Sequence, residues 1–252
     1  MTATRPRAWS GVRSLLAALS FLTRVPVPRR VALGAEDIAR AGPAFPVIGA
    51  GIGAAVAAIA ASLSHSLTPL LATALALAAG ALLTGALHLD ALADTADALG
   101  AGSRDRALQI MREPTIGAFG AVAVALDLLL KAAALSALIG HHRVVRFALA
   151  AGALSRVAPV LLAAALGYAR ASGGTGAALT RGSRALAALA AAIAVGIAVL
   201  AVGAEGAVLV GVTAAIVVSL AIAMRRWLGG VTGDTLGAGL ELTETAALVV
   251  GR

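Results

Sequence analysis

The sequence predicts an all-α fold, a polytopic transmembrane helical bundle of about six to seven spans with an N-terminal interfacial helix. Three observations predict it. Of 252 residues, 60% are hydrophobic and only 13% are charged, whereas a soluble domain carries about a quarter charged residues. Apolar windows near the ~20 residues that cross a hydrocarbon core recur along the whole chain. The cations, finally, segregate by side.

The elements follow in order. Trp9, Val12, Leu16 and Leu19 recur at helical spacing, with Arg13 and Ser14 on the other side. That pattern fits a helix lying in the interface plane. Val25-Pro26-Val27-Pro28 ends it, because proline disfavours helix at the preceding residue. The apolar stretch after Arg13 is short and broken by Arg24, with no small-residue cleavage site, so it does not read as a signal peptide. Spans are expected at 44–63, 67–88, 116–139, 145–167, 185–203 and 206–224, with a shorter, more polar seventh at 235–250. The fifth and sixth are Ala- and Val-rich with interspersed Gly, which suits close helix packing. The seventh carries Glu241 and Glu244 on one face, with Asp234 seven residues before Glu241. It is expected to pack inside, its acids turned to a polar cavity. Residues 1–252 thus read as one integral membrane domain, in which 1–42 is a cytoplasmic or interfacial segment.

The net charge is +8, made of nineteen Arg and the single Lys131 against twelve acids. If each span crosses once, fifteen arginines share a side: Arg5, Arg7, Arg13, Arg24, Arg29, Arg30, Arg40, Arg104, Arg106, Arg112, Arg170, Arg181, Arg184, Arg225 and Arg226. Arg143, Arg146 and Arg252 lie opposite. This positive-inside bias puts the fifteen in the cytoplasm and accounts for the basic charge without nucleic acid. Aromatic content of 3% also argues against base stacking. The absence of Cys excludes disulfides and thiolate-held metals.

The most informative segment is HLDALADTAD, residues 88–97. Asp90, Asp94 and Asp97 fall four and three apart, on one face of a helix. Clustered acids at a membrane surface repel unless a cation neutralises them or some stay protonated. Hard oxygen ligands of this kind suit Mg²⁺ shared with phosphate oxygens. The first reading is therefore a metal–phosphate site in a cytoplasmic segment, 89–115, of mixed acidic and basic character.

Neighbouring motifs supply the rest. In SRDRALQIMREPTIGAFG, residues 103–120, Ser103 caps a helix with Asp105 in its first turn. Arg104, Arg106 and Arg112 offer planar donors suited to phosphate; the plainer reading is a basic juxtamembrane loop. In RRWLGGVTGDTLGAG, residues 225–239, glycines allow backbone amides to approach an anion, Thr232 and Thr235 add hydroxyls, and Asp234 adds a metal ligand. Lys131 follows Asp127 by four, a spacing for a structural ion pair. Arg156 stands mid-span with no acid within a turn, and needs a phosphate or an acid from another helix. His88 reads as a packed histidine.

SFLTRVPVP (20–28), FPVIG (45–49), HLDALADTAD, SRDRALQIMREPTIGAFG, SR (155–156) and GGVTGDTLGAGLELTE (229–244) occur in this order over most of the chain. Together they resemble the cobalamin synthase family, the adenosylcobinamide-GDP ribazoletransferases. Ala91 and Ala98 stand where the family pattern has glycines. The resemblance implies a Mg²⁺-dependent phosphotransferase of the bacterial inner membrane, its site facing the cytoplasm. It would join α-ribazole or its 5′-phosphate to a GDP-activated corrinoid with release of GMP. Asp90, Asp94, Asp97 and Asp234 would ligate metal. Asp97 or Glu241 would take the hydroxyl proton, with Arg112 at the reacting phosphate. Thr23, Arg24, Arg104, Arg106, Arg156, Thr232, Gly233 and Glu244 would contact substrate. Partners are then the corrinoid and ribazole substrates, the lipid bilayer and a second copy of the chain. The alternatives are a CDP-alcohol-type phosphotransferase and a cation-coupled transporter. The first lacks its Asp-Gly and Ala-Arg spacing here. Against the second stands the concentration of acids on one side.

Overall fold

The computed structural model describes residues 7–28, 31–171 and 173–252, without the side chains of 7–10 and 175. Arg5, Arg29, Arg30 and the Trp9 side chain lie outside the described residues. Eleven α-helices follow one another among them: α1 (Arg7–Leu22), α2 (Ala35–Arg40), α3 (Phe45–Leu63), α4 (Pro69–Thr84), α5 (Leu87–Ala98), α6 (Arg104–Ile110), α7 (Ala118–Gly140), α8 (Val144–Ala165), α9 (Arg184–Val202), α10 (Ala204–Trp227) and α11 (Gly233–Gly251). Five helical segments are long and apolar enough to cross a membrane, Gly42–Leu63, α7, α8, α9 and α10, or six if α4 and α5 count as one bent span.

The polytopic bundle is built around α8, whose apolar window is 83% buried while those of α9 and α10 are 22% buried. The central helix touches protein all round, and the outer two turn most of their surface outward. Small residues make this possible. A Cβ on Gly49 or Gly53 of α3 would collide with the backbone of α8 at Gly152 and Ala148. The Gly-x-x-x-Gly pair thus lets two backbones touch. On α9 the inward stripe is Ala187, Ala190, Ala194 and Ala198, the small-residue packing read from the sequence.

α11 runs antiparallel to α8 over its whole length. Its start is tied to the end of α8, where Val231 donates to the Gly167 carbonyl and Ala169 donates back to Val231. At its far end Gly251 leaves room only for the Phe147 ring near the start of α8. The polar seventh helix therefore passes through the bundle interior at the depth of α8.

One expectation is corrected. The second apolar run does not continue to residue 88. α4 stops at Thr84, Gly85 and Ala86 take left-handed conformations (φ 67° and 55°), and α5 leaves at 91°. The amide of Ala86 returns to the Ala81 carbonyl at 2.8 Å, satisfying the helix end. The N-terminal helix α1 forms as expected, with Val12 exposed, and it docks on the bundle through Ala17, Ala18 and Leu22. Arg13, on the other side, makes a bidentate pair with Asp37 of α2 at 2.9 and 2.6 Å.

Candidate functional site

The segments carrying the polar motifs meet at one end of the bundle. Arg104 donates to the carbonyls of Leu228 and Ala169 at 2.8 and 2.9 Å, tying α6 to the turns after α10 and α8. Thr232 contacts the Met111 sulfur, and Arg170 pairs with Asp234 at 2.7 Å. At the opposite end Arg143 pairs with Glu205.

α5 runs across the polar end at 91° to α4. It packs between α7 and α11, and the fit to α11 is close. The Ala91 methyl occupies the space a side chain at Gly237 would need. The alanine at this position is thus accommodated by the glycine opposite. Ala98 is likewise fully buried.

The three aspartates of α5 share a face but not a fate. Asp90 and Asp94 line an open groove with Met111, Arg112, Glu113 and Val124. Asp90 also lines a more enclosed pocket, between α1, α5, α8 and α11, with Gly233 and Asp234. Asp97 is engaged elsewhere. Its carboxylate accepts the amides of Gly117 and Gly120 at 2.7 and 2.8 Å, closing the N-terminus of α7. A Cβ at either glycine would strike that carboxylate. A negative group at a helix N-terminus is stabilising, so the sequence reading of Asp97 as metal ligand or base meets a carboxylate already satisfied by the fold.

Glu241, the other expected proton acceptor, lies apart from the groove. It pairs with Lys131 inside the bundle, where Lys131 also meets Asp127 at 2.9 Å and Glu244 at 3.7 Å. Arg156 finds the acid it needs from another helix, Glu244 at 2.6 Å, and Thr245 donates to Asp127. This network bridges α7, α8 and α11 beside a third, largely apolar cavity. It draws Glu241, Glu244 and Arg156 away from the aspartates of α5.

The other expected contacts divide similarly. Thr23 is buried and donates to the Leu19 carbonyl at 2.7 Å, ending α1. Thr232 caps α11 through the Thr235 amide. Arg106 pairs with Glu113 at 2.9 Å, and Ser103 caps α6 as read from the sequence. Arg24 lies against Gly85 at the α4–α5 bend, beside the site. Gly233 borders the enclosed pocket and Arg112 the groove. In the sequence Arg170 shows only as one of the fifteen arginines expected on the cytoplasmic side. Its pairing with Asp234 joins positions 64 residues apart, and no local spacing announces it.

Electrostatics singles out Asp94. Desolvation pushes its carboxyl up to about 6, the charges of Asp90, Asp234 and Asp97 add to the shift, and Arg170 opposes it. This strained anion is the observation on which a divalent cation can be tested, and the donor set fits one. Two aspartates with open oxygens border one groove, and phosphate oxygens complete such a shell for Mg²⁺. Among the described residues no three His, Cys, Asp or Glu side chains already converge on one point, so protein groups alone do not make a closed cage.

Comparison with known proteins decides the assignment. The family described as cobalamin-5-phosphate synthase matches residues 14–251. The chain belongs to that family. An adenosylcobinamide-GDP ribazoletransferase of Pseudomonas paraeruginosa is 42% identical over 242 residues, covering 94% of this chain and 97% of the relative. Relatives of the same name from Azorhizobium caulinodans and Klebsiella pneumoniae (strain 342) are 40% and 37% identical, covering 92% and 94% of this chain and 92% and 98% of their own. No solved structure matches the chain. The protein is a transferase of cobalamin biosynthesis built on transmembrane helices. Membership of this family sets aside the lipid-acting phosphotransferase and the transporter.

Proposed function

We propose that this chain joins α-ribazole, or its 5′-phosphate, to adenosylcobinamide-GDP with release of GMP, using Mg²⁺, at the cytoplasmic face of a bacterial inner membrane. The reading rests on one observation: Asp90 stands between two cavities, an open groove with Asp94 and Arg112, and an enclosed pocket with Asp234. A transferase with two bulky substrates needs their reacting atoms brought together at one charged point. The arginine asymmetry supports a cytoplasmic orientation of that end.

In the reaction the ribose 3′-hydroxyl attacks the phosphorus that bears the corrinoid arm. The new P–O bond forms as the bond to the GMP oxygen breaks, and the hydroxyl proton must leave. Such transfers depend on positioning and charge neutralisation more than on covalent catalysis. Bound at Asp90 and Asp94, Mg²⁺ would supply neutralisation of the diphosphate and of the leaving phosphate. Arg112 lines the groove where phosphate oxygens would lie. Arg170 holds Asp234 in place at the edge of the enclosed pocket. Asp94, raised to about 6 in the metal-free fold, would give up that proton to hold the ion and so is a ligand rather than the base. Asp97 and Glu241, already bonded to amides and to Lys131, are poor proton acceptors as they stand.

The test is GMP release by the purified full-length protein in detergent, with both substrates and Mg²⁺. The account expects release that needs all three and falls roughly 10²-fold or more in Asp94→Ala, by analogy with loss of other preorganised electrostatic groups. Near-normal turnover in that variant contradicts it.

A further inference from the structure

The enclosed pocket beside Asp90 has a lining that the phosphate chemistry does not use. Phe21 and Leu22 of α1, Pro159 of α8, and Leu236 and Leu240 of α11 make its walls, and its charged groups, Asp90 and Asp234, belong to the shared charged site. A pocket meant only for diphosphate would not be walled this way, since apolar walls desolvate charge without compensating it. The walls suit a flat, apolar group. Phe21 is itself held by an aromatic contact, with Phe45 at a centroid distance of 5.5 Å and a tilt of 46°.

One polar side chain in this lining stands apart from the charged pair. His88, on the first turn of α5, is 5% exposed, and it borders the pocket next to Gly237. Among the described residues no hydrogen bond engages its ring, although the charges of Glu241, Arg156, Glu244 and Lys131 act on it from the interior network. A polar ring that borders a cavity without a hydrogen bond of its own can take a ligand group. Successive residues of α5 thus divide the chemistry, with His88 addressing the apolar pocket and Asp90 the charged junction.

We infer that this pocket is the base subsite of the nucleoside substrate: it takes a bicyclic aromatic base between Phe21, Pro159 and Leu240, with His88 hydrogen-bonded to a ring nitrogen. The inference rests on the proposed reaction, whose nucleophile is a ribose carrying a benzimidazole. Such a base is flat and apolar except for one ring nitrogen with a free lone pair, which matches one imidazole N–H among apolar walls. A base seated there would bring its ribose to the side where Asp90 and Asp234 lie. The corrinoid, too large for a slot between packed helices, is left the open groove. A site that reads one polar atom in an apolar surround discriminates strongly, because the wrong base leaves the protein group unpaired.

The experiment is steady-state kinetics of the full-length enzyme, varying each substrate in turn, with Phe21→Ala and His88→Leu. His88→Leu is expected to raise KM for α-ribazole roughly tenfold, the scale of one buried hydrogen bond, with KM for adenosylcobinamide-GDP unchanged. His88→Gln, which keeps a donor, should recover part of the loss. Phe21→Ala should admit a nucleoside whose base carries an extra fused ring. The inference is overturned if His88→Leu raises KM for the corrinoid substrate instead, or moves neither KM. Should His88→Leu not fold, Phe21→Ala decides, and unchanged base preference overturns the inference. If the parent enzyme releases no GMP with α-ribazole, the proposed reaction itself fails, which is a separate result.

Discussion

Asp97 is the N-terminal anchor of α7: its carboxylate receives the Gly117 amide at 2.7 Å and the Gly120 amide at 2.8 Å. This bond explains two glycines as well as an acid, since a methyl group at either glycine would displace the carboxylate. It also fixes where the loop 111–116 returns beside Asp90 and Asp94, and so sets one wall of the groove.

Removing the anchor should therefore act on stability before chemistry. Asp97→Ala is expected to lose about 1–2 kcal/mol, the scale of a helix cap, and Gly117→Ala should lower the melting temperature in the same direction. Melting in detergent checks both. The Mg²⁺ concentration for half-maximal GMP release should change little in Asp97→Ala, whereas Asp90→Ala should raise it steeply.

Asp94 should show the reverse pattern, stability gained and activity lost. Burial raises its carboxyl to about 6 from the ordinary 3.8. The folded state therefore holds the proton more tightly. The penalty is absent below the unfolded value, grows between about 4 and 6, and is complete above 6. Asp94→Asn should then melt higher than the parent at pH 7.5 without metal, equal it near pH 3.5, and lose turnover at every pH. Half-saturating Mg²⁺ for the parent should rise as pH falls through about 6, because protons compete for the same oxygens.

The interior network should behave as a unit. Lys131 faces Asp127, Glu241 and Glu244 inside the bundle. Lys131→Met leaves acids buried without their cation and should cost about 3–5 kcal/mol. Combining it with Glu241→Gln should restore much of that loss. Melting of the two variants and the parent, read as a double-mutant cycle with Glu241→Gln alone, measures the coupling.

Five apolar segments, or six if α4 and α5 make one bent span, are legible in the sequence because length and hydropathy decide them, and the Arg asymmetry predicts how their ends are sorted. Lys131 and Asp127 are legible as a pair because four residues separate them on one helix. Lys131–Glu241 and Arg156–Glu244 are not, since each joins two helices and no local period encodes which faces meet. The α4–α5 bend is half legible. Gly85 suggests a stop, but Ala86 at φ 55° has no local signal and is held by its bond to Ala81. The amide bonds of Asp97 are hidden for the same reason: helical spacing shows which face it shares with Asp90 and Asp94, while the amides that it accepts come from a later segment.

The most direct test of the central claim is the position of a divalent ion in the working site. Mn²⁺ in place of Mg²⁺, with the GDP-bearing substrate bound, can be located by anomalous diffraction. The account predicts a peak within ligating distance of the Asp90 and Asp94 carboxylates and of the diphosphate. A peak beside Glu241 and Glu244, or none near α5 while the enzyme still turns over, contradicts it.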